Sequence, residues 1–326
     1  MKNIFGAAFL FCCVAAPSAL AKDTGYRARI SERTKAGEFF DKSFATMTRS
    51  AAPGRKAIVD SLLSKFGSGV GNVDTSNVSA VSEEGETTLA RGQGWFLEVR
   101  QSGEVFRYRN TAELNKGGVG TPLANRLTDA AATEKASKFV SDFLADTVVL
   151  GPGETLNPWY VSFKIVAIGL ASEIGVEPDK RVSAIKVVFT RAIDGVPVLG
   201  SGSKVTVFLT HDGQPAGFEV NWSRLQRESG EQKSLGSAAA QERVATLLHR
   251  NTSTRQAATS TYFECGLYDA GTGAAGTRLQ PACLHSYSLA LPASGLVSRM
   301  ARIDTIPIGT AVQREPGWVE AEIFAR

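Results

Sequence analysis

The chain has 326 residues, of which 43% are hydrophobic and 21% are charged, a composition typical of folded globular proteins. Its formal net charge is only +4 at pH 7, and its lysines and arginines are dispersed along the chain. This balance argues against the strongly basic classes of protein that bind nucleic acids or membrane surfaces.

The first 21 residues have the pattern of a secretory signal peptide. A positive charge at Lys2 precedes an apolar run from Ile4 to Ala16, and small residues lead to a predicted cleavage site after Ala21. The apolar run is too short for a membrane span, which needs about 20 residues. We therefore expect a secreted or periplasmic protein with no membrane span.

Removal of the signal peptide leaves two cysteines, Cys265 and Cys283. In an oxidising compartment such a pair is expected to form a disulfide. Closing a loop of this length would stabilise the fold by about 3 kcal/mol in the chain-entropy model. A redox role is not indicated, because the C-x-x-C spacing is absent.

Residues 22–53 are charged and only modestly apolar, so they are either a surface helix or a poorly ordered lead-in. The next segment, Arg55 to Phe66, predicts a helix, because its apolar residues recur at helical spacing and Gly67 ends the pattern. About 300 mature residues exceed one ordinary domain, so we expect two or three units after the lead-in.

Residues 54–122 form the first predicted unit, in which the helix precedes a run of strands. The Ser102-Gly103 pair is suited to a hairpin turn between two of these strands, and residues 115–122 have the composition of a linker. The predicted strands are Asn77 to Val81, Thr87 to Arg91, Trp95 to Arg100 and Val105 to Arg109.

Residues 123–230 form the second predicted unit. A helix is expected from Asp129 to Leu144 with Thr128 as its N-cap. The clearest pattern is a hairpin in which strict period-two alternation on both strands flanks the Asp212-Gly213 turn. The predicted strands are Trp159 to Leu170, Val182 to Ile193, Lys204 to Thr210 and Phe218 to Trp222.

Residues 231–326 form the third predicted unit, which repeats the order of elements without repeating the residues. A helix from Ala238 to Leu248 precedes strands at Thr259 to Leu267, Leu284 to Leu291, Arg302 to Ile308 and Trp318 to Phe324. Helices followed by strands, without strict βαβ alternation, predict an α+β fold built from tandem helix-on-antiparallel-sheet units.

The second unit resembles a known family of modules. The pattern is Phe189-x-Arg191, then Asp194-Gly195-Val196-Pro197-Val198, Gly200, a strand, Asp212-Gly213 and Trp222. Over about residues 128–225 it is similar to the PepSY and thermolysin-type propeptide (FTP) modules. This resemblance implies a cystatin-like helix-on-sheet unit. It also implies a role as an inhibitory or chaperoning propeptide of a metallopeptidase, or as a stand-alone module that modulates other proteins.

Motifs for catalysis are weak throughout the sequence. No H-E-x-x-H motif occurs, so the chain is not itself a peptidase of that class. The segment Gly271 to Gly276 matches G-x-G-x-x-G, but Pro281 follows too soon for the helix that a dinucleotide site requires. Two S-x-x-K matches, starting at Ser183 and Ser201, lie in predicted strands or turns without their partner motifs.

Four tryptophans are candidates for a binding surface: Trp95, Trp159, Trp222 and Trp318. Core packing is the default role of such residues. Exposed together, they would form a patch for a protein partner, because aromatic residues anchor interfaces.

The sequence therefore favours a non-catalytic binding module that is secreted or periplasmic. Its expected partner is an extracytoplasmic protein, and the resemblance implies modulation or inhibition of a peptidase. We expect no cofactor, no metal and no nucleic acid. Two alternatives stay open: a carrier of a small ligand or lipid, and a hydrolase without a recognisable motif.

Overall fold

A computed structural model describes residues 27–29, 39–51, 54–69, 80–84, 87–100, 104–116, 120–168, 179–240, 242–243, 258–271, 277–290, 299–310 and 321–324. The predicted signal peptide and Trp318 lie outside the described residues, as does most of the predicted helix after Leu235, of which residues 237–240 and 242–243 are helical.

Strands provide most of the described secondary structure. They are β1 (Arg27–Arg29), β2 (Ser43–Arg49), β3 (Ala80–Glu84), β4 (Thr87–Gly92), β5 (Trp95–Arg100), β6 (Val105–Asn110), β7 (Thr121–Pro122), β8 (Glu154–Ile168), β9 (Asp179–Ile193), β10 (Val196–Gly200), β11 (Ser203–Thr210), β12 (Pro215–Trp222), β13 (Leu225–Lys233), β14 (Ala258–Asp269), β15 (Gln280–Ala290), β16 (Arg299–Pro307) and β17 (Ala321–Phe324). The helices with described bounds are α1 (Arg55–Gly69), α2 (Thr111–Lys116) and α3 (Asp129–Phe139), the last continuing as a π-helical turn, Val140–Leu144. A short 3-10 helix, Leu123–Asn125, precedes α3.

One large mixed sheet dominates the molecule. Twelve strands follow one another in the order β17, β16, β15, β14, β10, β9, β11, β12, β6, β5, β4 and β3, while β1, β7 and β8 join through β8 and β9. The remaining strands, β2 and β13, form an antiparallel ribbon. The prediction of tandem helix-on-antiparallel-sheet units, cystatin-like or PepSY-like, is therefore wrong, because the fold is mostly β with few helices.

Strand pairing across the predicted units is the physical reason for this correction. Strand β12 pairs with β6, so that Phe218 lies opposite Tyr108. Strand β10 pairs in parallel with β14, placing Val198 opposite Leu267. The edges of β6, β12, β10 and β14, which would have ended separate sheets, are thus covered by another strand, which satisfies their backbone hydrogen-bonding groups.

Two helices pack on one face of the sheet and form the main core. Residues of α1, such as Leu62 and Phe66, contact the inward-facing side chains of β4 to β6. Helix α3 packs Ala136 and Phe139 against β8, β9, β11 and β12. Thr128 caps α3 through the hydrogen bond that Ala131 N–H donates to its hydroxyl, as its N-cap position predicts.

A second core lies where the β2–β13 ribbon packs beside β14 to β16. Phe39, Met47 and Leu267 are buried there together with a disulfide between Cys265 and Cys283, which lie opposite each other on β14 and β15. Residues 43–49 are thus a strand, where the sequence left residues 22–53 as a surface helix or an unordered lead-in.

Candidate functional site

The two faces of the sheet differ in chemistry. Inward-facing residues of β4 to β6, β9, β11 and β12 are mostly apolar and lie under α1 and α3, with Arg191 on β9 as a buried charged exception. The residues that alternate with them form the opposite face, which we call the open face. It carries half-buried or exposed charged, polar and aromatic side chains, although Glu98, Val188, Thr206 and Thr210 on this face are buried. This open face is the candidate binding surface, because it clusters charged groups and aromatic rings outside the core.

The strand register places one row of cations and aromatic rings across the open face. We call it the basic-aromatic row; in spatial order it consists of Arg91, Phe96, Arg109, Gly217, Phe208 and Lys186. Each neighbour lies opposite the next on adjacent strands, from β4 through β5, β6, β12 and β11 to β9. Since adjacent strands lie about 4.8 Å apart, the row extends over roughly 24 Å.

Arg109 is a cation of the row that several contacts hold in place. Its guanidinium carbon lies 3.6 Å from the centroid of the Phe208 ring, and its Nη1 donates hydrogen bonds to the carbonyls of Tyr108 and Phe218. Gly217 separates the two side chains in the row, and a Cβ atom there would lie 2.7 Å from the Tyr108 carbonyl oxygen and 3.1 Å from Arg109 Cδ. The missing side chain therefore lets the guanidinium rest on the ring.

A carboxylate clamp borders the row on one side. Glu98 lies opposite Arg107, and its two oxygens accept hydrogen bonds from the Nε groups of Arg100 and Arg107. Burial alone would raise the pKa of Glu98, but the hydrogen bonds and positive charges of the two arginines outweigh it and hold that pKa below its usual value. Arg107 also lies 5.5 Å from the centroid of the Phe96 ring. The clamp therefore holds Arg107 beside the basic-aromatic row.

A row of mainly polar side chains lies on the same side as the clamp, one register row beyond it, so that Glu219 and Thr206 separate it from the basic-aromatic row. Asn221 lies opposite Lys204, which lies opposite Thr190 on β9, which in turn lies opposite Asn157 on β8. Lys204 Nζ is 4.6 Å from the centroid of the Trp159 ring. We call Asn221, Lys204, Thr190 and Asn157 the polar row.

A cleft of about 680 Å³ opens at the β4 end of the basic-aromatic row. Its walls include Leu89, Arg91, Phe96, Glu98 and Arg107. Charged and apolar groups thus share its surface, which suits a ligand that carries charge better than a purely apolar one.

Comparisons with known proteins identify a fold and no family. No protein-family model matches the chain, and no curated protein matches it. One solved structure with a similar fold is an uncharacterized protein from Eubacterium rectale ATCC 33656, determined at 1.45 Å resolution. It is 8% identical, with a TM-score of 0.53 over 87% of this chain and 88% of that chain. The similarity is one of fold alone.

A second concentration of charge lies in the interior. Five buried residues, which we call the interior charge junction, are Arg49, Glu104, Glu154, Arg191 and Asp269. Arg49 pairs with Glu104 at 3.5 Å and more closely with Asp269, while Arg191 Nε lies 3.5 Å from Glu154. These residues come from the lead-in and from all three predicted units, so the junction ties together distant parts of the chain.

Hydrogen bonds complete much of the junction. Ser203 Oγ donates to Asp269 at 2.9 Å, and Arg191 Nη2 donates to the Ser223 carbonyl at 2.8 Å. Arg191 also stacks 3.8 Å from the centroid of the Trp222 ring. Burial lowers the pKa of Arg191 to about 10, against the opposing effect of the nearby carboxylates, and burial raises the pKa of Glu104.

The structure does not bring the described tryptophans onto one surface. Trp95 and Trp222 are only 5% and 3% exposed and belong to the main core, so they do not anchor a partner. Trp159 is half-buried beside the polar row, and Trp318 lies outside the described residues. Trp159 is the tryptophan that the structure places at the open face.

In the part of the chain that the structure describes, none of the helices combines the length and the hydropathy of a membrane span.

Proposed function

We propose that this chain is a non-catalytic binding protein that acts outside the cytoplasm and holds an acidic partner on the open face of its sheet. The observation that carries the proposal is the basic-aromatic row. It presents its cations in one line, and aromatic contacts at Arg109 limit the conformational freedom that binding would otherwise remove.

The balance of charge supports an acidic partner. Among the described residues of β4, β5, β6, β11 and β12, the open face carries five cations and two carboxylates. The cations are Arg91, Arg100, Arg107, Arg109 and Lys204, and the carboxylates are Glu98 and Glu219. Lys186 on β9 adds a further cation to the row. Such a field attracts anionic partners, and its effect depends on ionic strength.

The resemblance to PepSY and FTP modules is compatible with this proposal. It implies a protein partner, in particular a peptidase, and a peptidase with an acidic surface segment would meet the charge requirement of the row. The signal-peptide pattern predicts secretion, which would place the binding face in the compartment where such a partner acts.

The hydrolase alternative has its best geometric support at a threonine and histidine pair. Thr121 Oγ1 lies 2.7 Å from His211 Nδ1, within hydrogen-bonding distance. The carboxylate of the adjacent Asp212 accepts a hydrogen bond from Thr210, and no hydrogen bond joins it to the His211 ring among the described residues. A base oriented by a carboxylate, as nucleophilic catalysis requires, is thus not formed by these three residues.

Charge reversal at the two ends of the row tests the proposal. The double variant Arg91→Glu/Lys186→Glu places acids on β4 and β9, and its matched control, Lys56→Glu/Lys138→Glu, changes the net charge equally on exposed positions of α1 and α3. We expect the row variant to bind immobilised polyglutamate and polygalacturonate about tenfold more weakly than the wild type, since each exposed pair contributes about 0.5–1 kcal/mol.

The measurement is the dissociation constant at several salt concentrations, with circular dichroism to confirm folding. The wild type and the control should bind at least one polyanion with an affinity that falls as salt rises. Equal binding by the row variant and the control, or no binding of either polyanion by the wild type, would contradict the proposal.

A further inference from the structure

The cleft at the β4 end of the basic-aromatic row has features that the proposed function does not use. Its side-chain walls lie on the open face of β4, β5 and β6, in two adjacent register rows. Arg91 lies opposite Phe96 in one row, and Leu89, Glu98 and Arg107 follow one another in the next. A volume of about 680 Å³ lies in the range of sites for small molecules. The cleft is therefore large enough to hold a small ligand of its own.

Arginines give this region an excess of positive charge. Glu98 is buried and accepts hydrogen bonds from the Nε groups of Arg100 and Arg107, so its charge is met within the protein. Arg91 adds a further, exposed cation at the wall of the cleft. Three arginines thus stand against one carboxylate. A ligand with an anionic group is favoured here, and a cationic ligand is disfavoured.

Arg107 is held in a position to meet such an anionic group. Glu98 accepts its Nε–H group, whereas a guanidinium can also form a fork for a carboxylate with its terminal Nη groups. The guanidinium carbon lies 5.5 Å from the centroid of the Phe96 ring, and Phe96 lies opposite Arg91 on the next strand. Arg107 and Arg91 therefore approach the cleft from the two strands that flank β5.

Apolar side chains form another part of the same cleft. Leu89 and Phe96 are both half-buried, and they are diagonal neighbours in the β4–β5 pair. Diagonal neighbours on a sheet face are close enough for one aromatic or long group to contact both. A ligand with an apolar body can therefore cover Leu89 and Phe96 together and remove their surface from water.

We propose that the cleft is a separate site for a small amphipathic carboxylic acid with an aromatic or alkyl body. The carboxylate pairs with Arg107 and Arg91, and the apolar body lies on Leu89 and Phe96. This inference goes beyond the proposed function, because the ligand carries a single negative charge and needs only the β4 end of the row. Lys186 at the other end, about 24 Å away, has no part in it.

Ligands with only one of these two groups match the cleft less well. A purely apolar ligand would remove water from the arginines without replacing its hydrogen bonds. A small dicarboxylate would place its second charge against Leu89 and Phe96, where it gains no hydrogen bond, and near the carboxylate of Glu98. One carboxylate joined to one apolar body satisfies both parts of the cleft.

Titration of the wild type with phenylbutyrate, followed by backbone chemical shifts, tests this inference. The comparison probes are phenylbutanol, which lacks the charge, phenylbutylamine, which reverses it, and glutarate, which lacks the apolar body. We expect phenylbutyrate to bind about tenfold more tightly than each of the others, or better. Its shift changes should be centred on Leu89, Phe96 and Arg107.

Two arginine variants separate contact with the ligand from the general effect of charge. Arg107→Gln and Arg100→Gln each remove one of the two arginines that bond to Glu98, but of these two arginines only Arg107 lines the cleft. Arg107→Gln should weaken phenylbutyrate binding about tenfold, and Arg100→Gln should weaken it by about twofold at most. Circular dichroism confirms that both variants are folded.

A second pair of variants tests the apolar part of the cleft. Leu89→Gln places a polar group where the ligand body lies, and it should weaken phenylbutyrate binding several-fold. Val105→Gln is the matched control, because Val105 is also half-buried on the open face but does not line the cleft. It should leave binding unchanged.

The outcomes distinguish this inference from the proposed function. If phenylbutyrate binds no more tightly than phenylbutanol, or if Arg100→Gln weakens its binding as much as Arg107→Gln does, the site for an amphipathic acid is wrong. Binding of polyglutamate would still support the acidic partner in that case. If phenylbutyrate binds as expected and neither polyanion binds, the inference stands and the proposed function fails.

Discussion

The interior charge junction and the basic-aromatic row use the same side chains in opposite settings. In the junction, Arg191 stacks on Trp222 and pairs with Glu154, and all three are buried. On the open face, Arg109 stacks on Phe208 and pairs with an exposed Glu219. Burial makes the first arrangement a requirement for folding, because an unpaired charge there has no water to solvate it. Partial exposure leaves the second one accessible to a partner.

Removing an arginine from the junction should have the largest effect. Arg191→Met leaves Glu154 buried without its cation, and we expect the free energy of unfolding to fall by about 3–5 kcal/mol. Lys186→Met is the matched control on the same strand β9, because its side chain belongs to the open face. It should change stability by less than about 0.5 kcal/mol.

Urea denaturation of both variants provides the measurement. Arg191→Met should also keep the affinity of the wild type for polyanions under conditions in which it is folded. Equal stability losses in the two variants would contradict the separation of a buried junction from an accessible face.

Loss of the Cys265–Cys283 disulfide should have the next largest effect. The double variant Cys265→Ala/Cys283→Ala removes a cross-link from the second core, and we expect a loss of about 3 kcal/mol in the free energy of unfolding. Polyanion binding should be unchanged, because the second core lies away from the row. Reduced binding at full folding would show that the two regions are coupled.

Adding a side chain at Gly217 should lower both the stability of the fold and the affinity for polyanions. In Gly217→Ala the new Cβ lies 2.7 Å from the Tyr108 carbonyl oxygen and close to Arg109, so the strands must separate slightly. We expect a loss of about 1–3 kcal/mol, typical of overpacking, together with weaker polyanion binding. Gly54→Ala is the control, because no atom lies within 4 Å of its added Cβ. A variant with lower stability and unchanged affinity would show that Arg109 does not depend on this gap for its position.

The carboxylate clamp should show a pH-dependent effect. Glu98→Gln removes the shared charged acceptor of Arg100 and Arg107, and we expect a loss of about 1–3 kcal/mol at pH 7. Because the pKa of Glu98 is lower in the folded state, its contribution is present above the unfolded pKa and is lost as pH falls through the folded pKa. The difference from the wild type should therefore shrink below about pH 4, as the carboxylate becomes protonated.

Stability curves of the wild type, Glu98→Gln and Glu219→Gln between pH 3 and pH 8 test this prediction. Glu219 is half exposed and should serve as a control with little effect. A constant difference between Glu98→Gln and the wild type over the whole range would contradict the role of the charged clamp.

Local patterns predicted individual strands well. The predicted strand Trp95 to Arg100 coincides with β5, and the hairpin around Asp212-Gly213 corresponds to β11 and β12. Period-two alternation and turn residues are local signals, so they are visible without tertiary information. The sheet order was not visible, because the pairing of β12 with β6 joins residues that are more than 100 positions apart.

The same limit explains why the sequence did not predict either charged region. Arg49 and Asp269 are 220 residues apart, and charged residues are expected at the surface when their partners are unknown. Each residue of the basic-aromatic row belongs to an alternating pattern on its own strand, and that pattern is visible in the sequence. The row itself exists only through the register of six strands. The tryptophans were candidates for a binding surface because of their size, but Trp95 and Trp222 are buried. Smaller rings such as Phe208 form aromatic contacts on the open face.

Backbone chemical-shift mapping by NMR tests the central claim most directly. The uniformly labelled mature chain is titrated with an acidic polyanion, and the largest shift changes are mapped on the structure. The account predicts that they fall on Arg91, Phe96, Arg109, Gly217, Phe208 and Lys186 and their neighbours on the open face. Changes concentrated on α1 and α3, or around the disulfide, would contradict it.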